Sequence, residues 1–274
     1  MNATLPDYHL HTTLCNHACG TMEEYVERAI ELGLEEIGFA EHMPVMPEPH
    51  LCMTWEDLPR YVDRVKRLQD DYSGRIAIRL GAEMDMDLSR VDEIGDIINR
   101  YPFDYVIGSV HYLDGWPFDQ VQYADRFNGT DLSELYGIFF EKLADAARTG
   151  LYDIAGHIDN LKRMGYHLPD TQGGIVEDVA RVFAELNVAV EVNTSGYDHP
   201  VAEAYPSPWI LEVLNHYGIP VTVGSDAHQP EQVGRHFDRA AVVLGQAGYH
   251  QIAYFRGRQR LLKPILSSEE KPGA

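Results

Sequence analysis

The chain has 274 residues, 45% of them hydrophobic, and a formal net charge of −21, which suits one large core and predicts a single domain over residues 1–274. So acidic a surface repels polynucleotides, which predicts that nucleic acid is not a partner. The sequence shows no apolar run of membrane-spanning length and no leader peptide, so no membrane partner is expected either. Three cysteines, Cys15, Cys19 and Cys52, are too few for a disulfide framework and predict a reducing, cytoplasmic location.

Strand and helix patterns alternate along the chain almost without a break. The predicted order is strand 5–10, helix 21–33, strand 37–40, helix 54–74, strand 76–82, helix 89–99, strand 105–110, helix 132–148, strand 153–156, helix 175–186, strand 188–192, helix 209–217, strand 220–224 and helix 231–247. Repeated strand–helix units predict a parallel sheet. So many units on a chain of this length favour a closed α/β barrel over an open sheet.

Histidine and carboxylate residues recur at or just beyond the carboxyl ends of the predicted strands. The nine candidates are His9, His11, His17, His42, Glu83, His111, His157, Asp226 and His228. Imidazole and carboxylate are the usual ligands of zinc, manganese and iron. Active sites of α/β barrels form at this end of the strands, whereas an open sheet would not bring all these ends to one point. The pattern predicts the multinuclear metal centre of a metallohydrolase.

Each candidate ligand also has a simpler interpretation by itself. A lone histidine after a strand is usually a surface or hydrogen-bonded residue, Glu83 could form a salt bridge, and Asp226 could cap a helix starting near Pro230. Recurrence at one end of six strands favours metal ligation over these interpretations. Cys15 and Cys19 lie close to the histidines and could contact metal, but small buried residues are the expected role because the histidines already supply enough ligands.

Several of these segments resemble the motifs of the polymerase-and-histidinol-phosphatase (PHP) superfamily. Residues 7–12 with 17–21 are similar to its first motif and residues 38–42 to its second, and Glu83, 107–111, 156–157 and 224–228 complete the set in order. The resemblance covers nearly the whole chain. It is closest to the monofunctional histidinol-phosphate phosphatases, through residues 103–109, 157–163 and 191–196. It implies hydrolysis of L-histidinol phosphate to L-histidinol and phosphate in histidine biosynthesis.

The same resemblance implies a distorted, TIM-like (β/α)7 barrel that holds three divalent metal ions, either zinc, iron or manganese. By position, the first ion takes His9, His11, Glu83 and Asp226, the second Glu83, His111 and His157, and the third His17, His42 and His228. Glu83 then bridges two ions. Each ion keeps room for water, hydroxide or a phosphate oxygen, as catalytic sites require.

The chemistry expected of such a centre assigns roles to further residues. A hydroxide between the paired metals attacks phosphorus, while the third metal and Arg163 hold the phosphate oxygens. Arg163 is expected to contribute more than Lys162. The leaving alcohol needs a proton, and Asp226 is the leading candidate for its donor, with His42 or His228 as alternatives.

The chain departs from the superfamily pattern just after residues 193–196. The family often carries a basic residue here that touches the substrate phosphate, whereas this chain has Tyr197-Asp198-His199. Either His199 replaces that residue, or Asp198 meets a cationic part of the substrate. Asp198 is therefore predicted to bind the amine of histidinol phosphate.

Two other functions remain open at this point. One is a PHP-type phosphoesterase that acts on another small phosphate ester or a nucleotide, and the short acidic chain weakens it. The other is a non-catalytic metal-binding or phosphate-binding module, and the presence of all nine candidate ligands weakens it. The native metal and the oligomeric state do not follow from the sequence.

Overall fold

Seven parallel strands form a sheet that curls into a nearly closed barrel. The computed structural model describes residues 5–168 and 172–265. The sheet order is β1 (Asp7–Leu10), β2 (Glu36–His42), β3 (Ala77–Asp85), β4 (Tyr105–Ser109), β7 (Ile154–Ala155), β8 (Ala189–Asn193) and β9 (Val221–Gly224). The first and last strands meet through Ala227, whose N–H donates to the His9 carbonyl at 3.1 Å and whose carbonyl accepts from His11 at 2.9 Å. The predicted α/β barrel is confirmed.

In the described part of the chain, six helices connect successive strands of the barrel, as parallel strands require, and a seventh follows the last strand. They are α1 (Met22–Glu31), α2 (Leu58–Asp71), α3 (Val91–Arg100), α4 (Leu132–Arg148), α5 (Gly173–Leu186), α6 (Pro208–His216) and α7 (Phe237–Gln246). The first begins at a capping box, in which Thr21 and Glu24 each bond the other's backbone N–H. Among the described residues, no helix is both long and apolar enough to cross a membrane.

The predicted boundaries differ from the structure where tertiary pairing overrides local patterns. Strands β2 and β3 continue to His42 and Asp85, so His42 and Glu83 lie within strands rather than after them. The last helix was predicted to start at residue 231, which is wrong. Gly234 and His236 both have positive φ angles, of 65° and 57°, and this left-handed backbone delays the helix until Phe237.

Two antiparallel hairpins were not predicted. One pairs β5 (Tyr112–Leu113) with β6 (Trp116–Pro117) in the long connection between β4 and α4. The other pairs β10 (Gln251–Arg256) with β11 (Gln259–Pro264). The second hairpin lies at the end of the barrel where the strands begin, because the N–H of Gly257 donates to Asp104 at 2.9 Å. The second hairpin therefore does not cover the opposite end of the barrel, where the strands end.

Tyr105 fills the barrel interior below the predicted ligands. Its hydroxyl donates to the Tyr8 carbonyl at 2.7 Å, and its ring lies against the bare backbones of Gly38 and Gly81. A Cβ atom added at Gly38 would lie 2.1 Å from the Tyr105 hydroxyl, and one at Gly81 would lie 2.4 Å from its ring. These two glycines leave the space that the buried ring needs, so the ring packs closely beneath the predicted ligands.

Candidate active site

The predicted ligands converge at the carboxyl end of the barrel strands. Alternate residues of a strand point to the same side, so Gly81 and Glu83 face the interior together. Glu83 therefore points into the barrel one layer above the Tyr105 ring. Its side chain is 1% exposed, and His9 and His11 beside it are fully buried. The structure thus brings ligands of the first and third strands to one buried point.

The nine candidates and Cys15 fall into five overlapping groups, and within each group the ligand atoms lie within 4.8 Å of one another. Three of these groups correspond to the expected division, except that the first lacks Glu83: His9, His11 and Asp226; Glu83, His111 and His157; and His17, His42 and His228. Glu83 connects them, because one oxygen lies 3.2 Å from His9 Nε2 and 2.8 Å from His42 Nδ1 while the other lies 3.2 Å from His157 Nε2. His42 therefore lies close to Glu83 as well as to its own group with His17 and His228.

Buried ligand atoms without hydrogen-bond partners fit metal ions at this point. His9 Nε2, His11 Nε2 and Glu83 Oε2 are all buried. Although nitrogen and oxygen atoms of the cluster lie close together, no described group contacts these three atoms with hydrogen-bond geometry. A buried polar atom without a partner is costly. A divalent cation between these lone pairs would remove that cost. The donor set of imidazoles and carboxylates suits zinc, iron or manganese.

The His17 and His228 rings give a second indication of a cation. Each Nδ1 lies near a carbonyl oxygen, that of Cys15 at 2.8 Å and that of Asp226 at 3.1 Å, so each must carry the proton. Burial, and then the charge of a neighbouring histidine, lowers the pKa of both rings, which favours their neutral form. Their Nε2 atoms face each other at 2.9 Å. Two such lone pairs repel unless a cation lies between them.

Glu191 on β8 holds two of the predicted ligands in place. Its Oε1 lies 2.5 Å from His9 Nδ1, and its Oε2 accepts the backbone N–H of His157 at 3.0 Å. Gly224 leaves room for this contact, because an added Cβ would lie 2.2 Å from Glu191 Oε1 and 2.6 Å from His9 Cβ. The carboxylate fixes the proton on His9 Nδ1 and turns Nε2 toward the centre of the site.

Two further carboxylates orient ligand rings in the same way. Glu41 Oε1 lies 3.2 Å from His11 Nδ1, and Asp85 Oδ1 lies 3.2 Å from His111 Nδ1. Burial opposes the ionisation of Glu41, but hydrogen bonds from His11 and Thr12 bring its pKa to about 2. Sequence reasoning gave these carboxylates, and Glu191, no role. The sequence signal that could have identified them is that each is an acidic residue within a barrel strand, close to a predicted ligand.

The two predicted carboxylate ligands are ionised at neutral pH. Burial by itself raises the pKa of Glu83, but the charges of His9 and His42 outweigh it and lower the pKa well below its usual value. The pKa of Asp226 is lowered in the same way, against the effect of burial, by the charges of His9 and His11. Both groups are therefore ready to bind a cation. The neutral His228 ring is correspondingly a poor proton donor.

A cavity of about 570 Å³ opens above the ligands, a size that suits a small molecule. On its wall, Arg163 Nε, Asn160 Oδ1 and the Tyr205 hydroxyl are buried, and no described group forms a hydrogen bond with them. Arg163 also lacks an ion pair with any carboxylate in the described ranges. An uncompensated guanidinium beside a metal-ligand cluster is suited to hold an anion.

The structure places the other predicted substrate residues differently. His199 lines the cavity, but burial and the neighbouring Arg163 lower its pKa to about 4, so it is neutral near pH 7. Asp198 does not line the cavity. Its carboxylate is 44% exposed and pairs with Arg235 at 3.1 Å and with His236 at 2.7 Å. The amine-binding role predicted for Asp198 therefore lacks support from its position.

The cysteines near the site show no contact that requires metal. Cys15 lies within 4.8 Å of ligand atoms of His11 and His228, but its thiol donates to the Thr12 carbonyl at 3.1 Å. Burial raises the pKa of the Cys15 thiol, which disfavours the thiolate that metal binding needs. Cys19 is exposed. The small buried role predicted for these residues fits Cys15 but not Cys19.

A larger concavity, of about 770 Å³, lies at the opposite end of the barrel. Two of its three arginines, Arg75 and Arg79, pair with Glu27 and Glu36, and no histidine is among the described residues that line it. Size by itself does not make it the active site, because the convergent ligands and the uncompensated polar atoms surround the smaller cavity.

Comparison with known proteins agrees with this geometry. The model of the PHP domain matches residues 7–195, and a PHP-associated model matches residues 210–238. A "Probable histidinol-phosphatase" of Deinococcus radiodurans is 37% identical over 263 residues, which cover 95% of this chain and 99% of that protein. A "Histidinol-phosphatase" of Lactococcus lactis is 27% identical over 270 residues, covering 92% and 94% of the two chains.

A solved structure extends the likeness to three dimensions. The histidinol phosphate phosphatase of Lactococcus lactis, crystallised with zinc, L-histidinol and phosphate, superposes with a TM-score of 0.81 at 26% identity. The match covers 94% of this chain and 98% of that one. The first family model spans more than half of the chain, and the relatives match nearly all of it. The chain therefore belongs to the PHP domain family.

Proposed function

We propose that this chain is a metal-dependent phosphomonoesterase that hydrolyses L-histidinol phosphate to L-histidinol and phosphate, a step of histidine biosynthesis. The observation that carries the proposal is the convergence of nine potential metal-ligand side chains, eight of them buried or half-buried, on one cavity. The same cavity contains Arg163, which has no ion pair among the described residues. The relatives support the choice of substrate, since they are named histidinol-phosphatases and match this chain over nearly their whole length.

The three ligand groups would hold three divalent ions, and zinc is supported by the zinc bound in the Lactococcus lactis phosphatase. Ions held there would activate water for attack on phosphorus and offset the charge of the phosphate oxygens. They would also make the cavity positive within a chain of net charge −21, which allows an anionic ester to enter.

The chain's own residues position the ester and move the proton. Arg163 holds phosphate oxygens from the cavity wall, and neutral His199 lies beside it as a hydrogen-bond donor. Asp226 accepts from Asn193 and Ser195, each at 3.3 Å, and lies on the cavity surface. Since its carboxylate is ionised, Asp226 first takes the proton of the attacking water and then returns it to the leaving alkoxide.

The cellular setting is part of the proposal. The three cysteines are free thiols, which suits a reducing cytoplasm. The partner we propose is the small phosphate ester alone, because the acidic charge disfavours nucleic acid. Comparing phosphate release from L-histidinol phosphate with hydrolysis of a nucleotide diester tests this choice. Faster turnover of the nucleotide would favour the alternative phosphoesterase function.

Replacing Arg163 with alanine should raise KM for the phosphate ester by about 10-fold to 150-fold, because a hydrogen bond to a charged group contributes about 1.5–3 kcal/mol. Arg163→Lys should recover part of the loss, since lysine keeps the charge but not the paired N–H groups. Steady-state kinetics on L-histidinol phosphate measure both effects. A normal KM for Arg163→Ala would show that Arg163 is only a surface charge.

Lys162 is an unsuitable control for that experiment. It is 1% exposed, its ammonium lies 2.9 Å from the buried Asp159 carboxylate, and it donates to Glu203 at 2.7 Å. Removing it would leave a buried charge without its partner and destabilise the fold. Arg181 on α5 is the better control, because its ion pairs with Glu177 and Asp178 are exposed and contribute little.

A further inference from the structure

The cavity has a second wall that faces the predicted metal ligands. We use the name cap segment for residues 112–127, which contain the β5–β6 hairpin and a short 3-10 helix at Val121–Phe127. Tyr112, Asp119, Gln120, Val121 and Gln122 of this segment line the cavity. A small ester whose phosphate binds at the metal ligands therefore extends its other end toward the cap segment.

Asp119 is a carboxylate of this wall that has no cationic partner in the described part of the chain. Three carboxylates line the cavity in the described part of the chain, and Glu83 and Asp226 are both engaged by histidines. No described residue forms a hydrogen bond or an ion pair with the side chain of Asp119, which is half-buried. A partly desolvated carboxylate without a partner favours the approach of a cation.

Asn160 places a second free acceptor in the same cavity. It is 5% exposed, and its Nδ2 donates to the Val110 carbonyl at 3.4 Å, which identifies the other side-chain atom as the oxygen. That oxygen has no hydrogen-bond partner among the described residues. Asp119 and Asn160 line the same cavity. Both acceptors therefore face the space into which the ester would extend.

We propose that Asp119, with Asn160 Oδ1 as a second acceptor, binds the ammonium group of the substrate and gives the enzyme its preference for phosphate esters that carry an amine. The inference rests on the proposed function, in which the phosphate end is held by the metal ligands and Arg163. A primary ammonium has three N–H donors and no acceptor, so it requires acceptors of this kind. Asp198 is less suitable, because Arg235 and His236 already neutralise its charge.

The test compares two esters that differ only in the amine. L-histidinol phosphate and 3-(imidazol-4-yl)propyl phosphate share the imidazole and the phosphate, and the second lacks the ammonium group. With the metal-loaded enzyme, Asp119→Asn should lower kcat/KM for L-histidinol phosphate by about 10-fold or more, as expected for a hydrogen bond to a charged group. The desamino ester should lose much less. Asn160→Ala should change the ratio of the two values in the same direction by a smaller factor.

Asp125→Asn is the matched control, because Asp125 is an exposed carboxylate of the same cap segment that does not line the cavity. It should leave the ratio of the two esters unchanged. Equal losses on both esters for Asp119→Asn, or no loss on either, would overturn the inference. A selective loss for Asp198→Asn instead would assign the amine to that residue and would also overturn it.

A product-competition experiment separates failure of this inference from failure of the proposed function. L-histidinol should compete with p-nitrophenyl phosphate, and Asp119→Asn should raise its inhibition constant by about 10-fold or more. A wild-type enzyme that hydrolyses p-nitrophenyl phosphate but not L-histidinol phosphate would contradict the proposed function. An enzyme that hydrolyses L-histidinol phosphate, with unchanged inhibition in the variant, would contradict the role of Asp119 alone.

Discussion

Glu83→Gln should lower kcat on L-histidinol phosphate by roughly 10³-fold. Metal ions contribute several kcal/mol of transition-state stabilisation, and each 1.36 kcal/mol is about tenfold in rate. The two oxygens of Glu83 face different ligand groups, since Oε2 lies 2.8 Å from His42 Nδ1 and Oε1 lies 3.2 Å from His157 Nε2. The substitution should therefore reduce the binding of more than one ion.

Elemental analysis of the purified variant measures that loss directly. Glu36→Gln is a matched control, because Glu36 is a buried glutamate at the other end of β2, where it pairs with Arg79 at 2.7 Å. It should reduce thermal stability but keep the metal content per folded chain. A Glu83→Gln protein with wild-type metal content and rate would contradict the bridging role.

Asp226→Asn should lower kcat on L-histidinol phosphate by about 10²-fold to 10⁴-fold, the range for a positioned proton-transfer group. Asparagine is the informative substitution because Asp226 has a φ angle of 53°. Asparagine tolerates this left-handed backbone, so the loop should keep its shape. The loss then reports on the carboxylate charge and its proton transfer.

The leaving group separates proton transfer from metal binding at Asp226. The alkoxide of L-histidinol needs a proton to leave, whereas p-nitrophenolate is a good leaving group without one. Asp226→Asn should therefore lose more activity on L-histidinol phosphate than on p-nitrophenyl phosphate. Glu83→Gln serves as the comparison, because the loss of a pure metal ligand affects both esters alike. Equal losses for Asp226→Asn would assign it to metal binding only.

The barrel and the position of its ligands could be predicted because two sequence signals agree. Alternating strand and helix patterns gave a parallel sheet, and the candidate ligands recur at one end of its strands. Glu83 illustrates this, since an acidic residue at the end of an apolar strand needs a partner. The structure brings its ligand atoms close to those of His111 and His157, as expected, and also close to those of His11 and His42.

The cavity wall could not be predicted, because it depends on contacts between distant segments. The β5–β6 hairpin and the cap segment follow no regular pattern, so Asp119 gave no signal. Asp198 looked available because it follows β8, yet Arg235, 37 positions further along the chain, folds back to pair with it. The oriented pairs of Glu41, Asp85 and Glu191 with ligand histidines are likewise set by tertiary structure.

In the proposed mechanism, hydrolysis of L-histidinol phosphate at this site requires bound metal ions. Phosphate release from L-histidinol phosphate by the purified protein, measured together with elemental analysis of the same sample, tests this claim. We expect between two and three transition-metal ions per chain, loss of activity when a chelator removes them, and recovery when zinc, iron or manganese is restored. Full activity in a protein shown to be free of metal, or no phosphate release from the fully loaded protein, would contradict the claim.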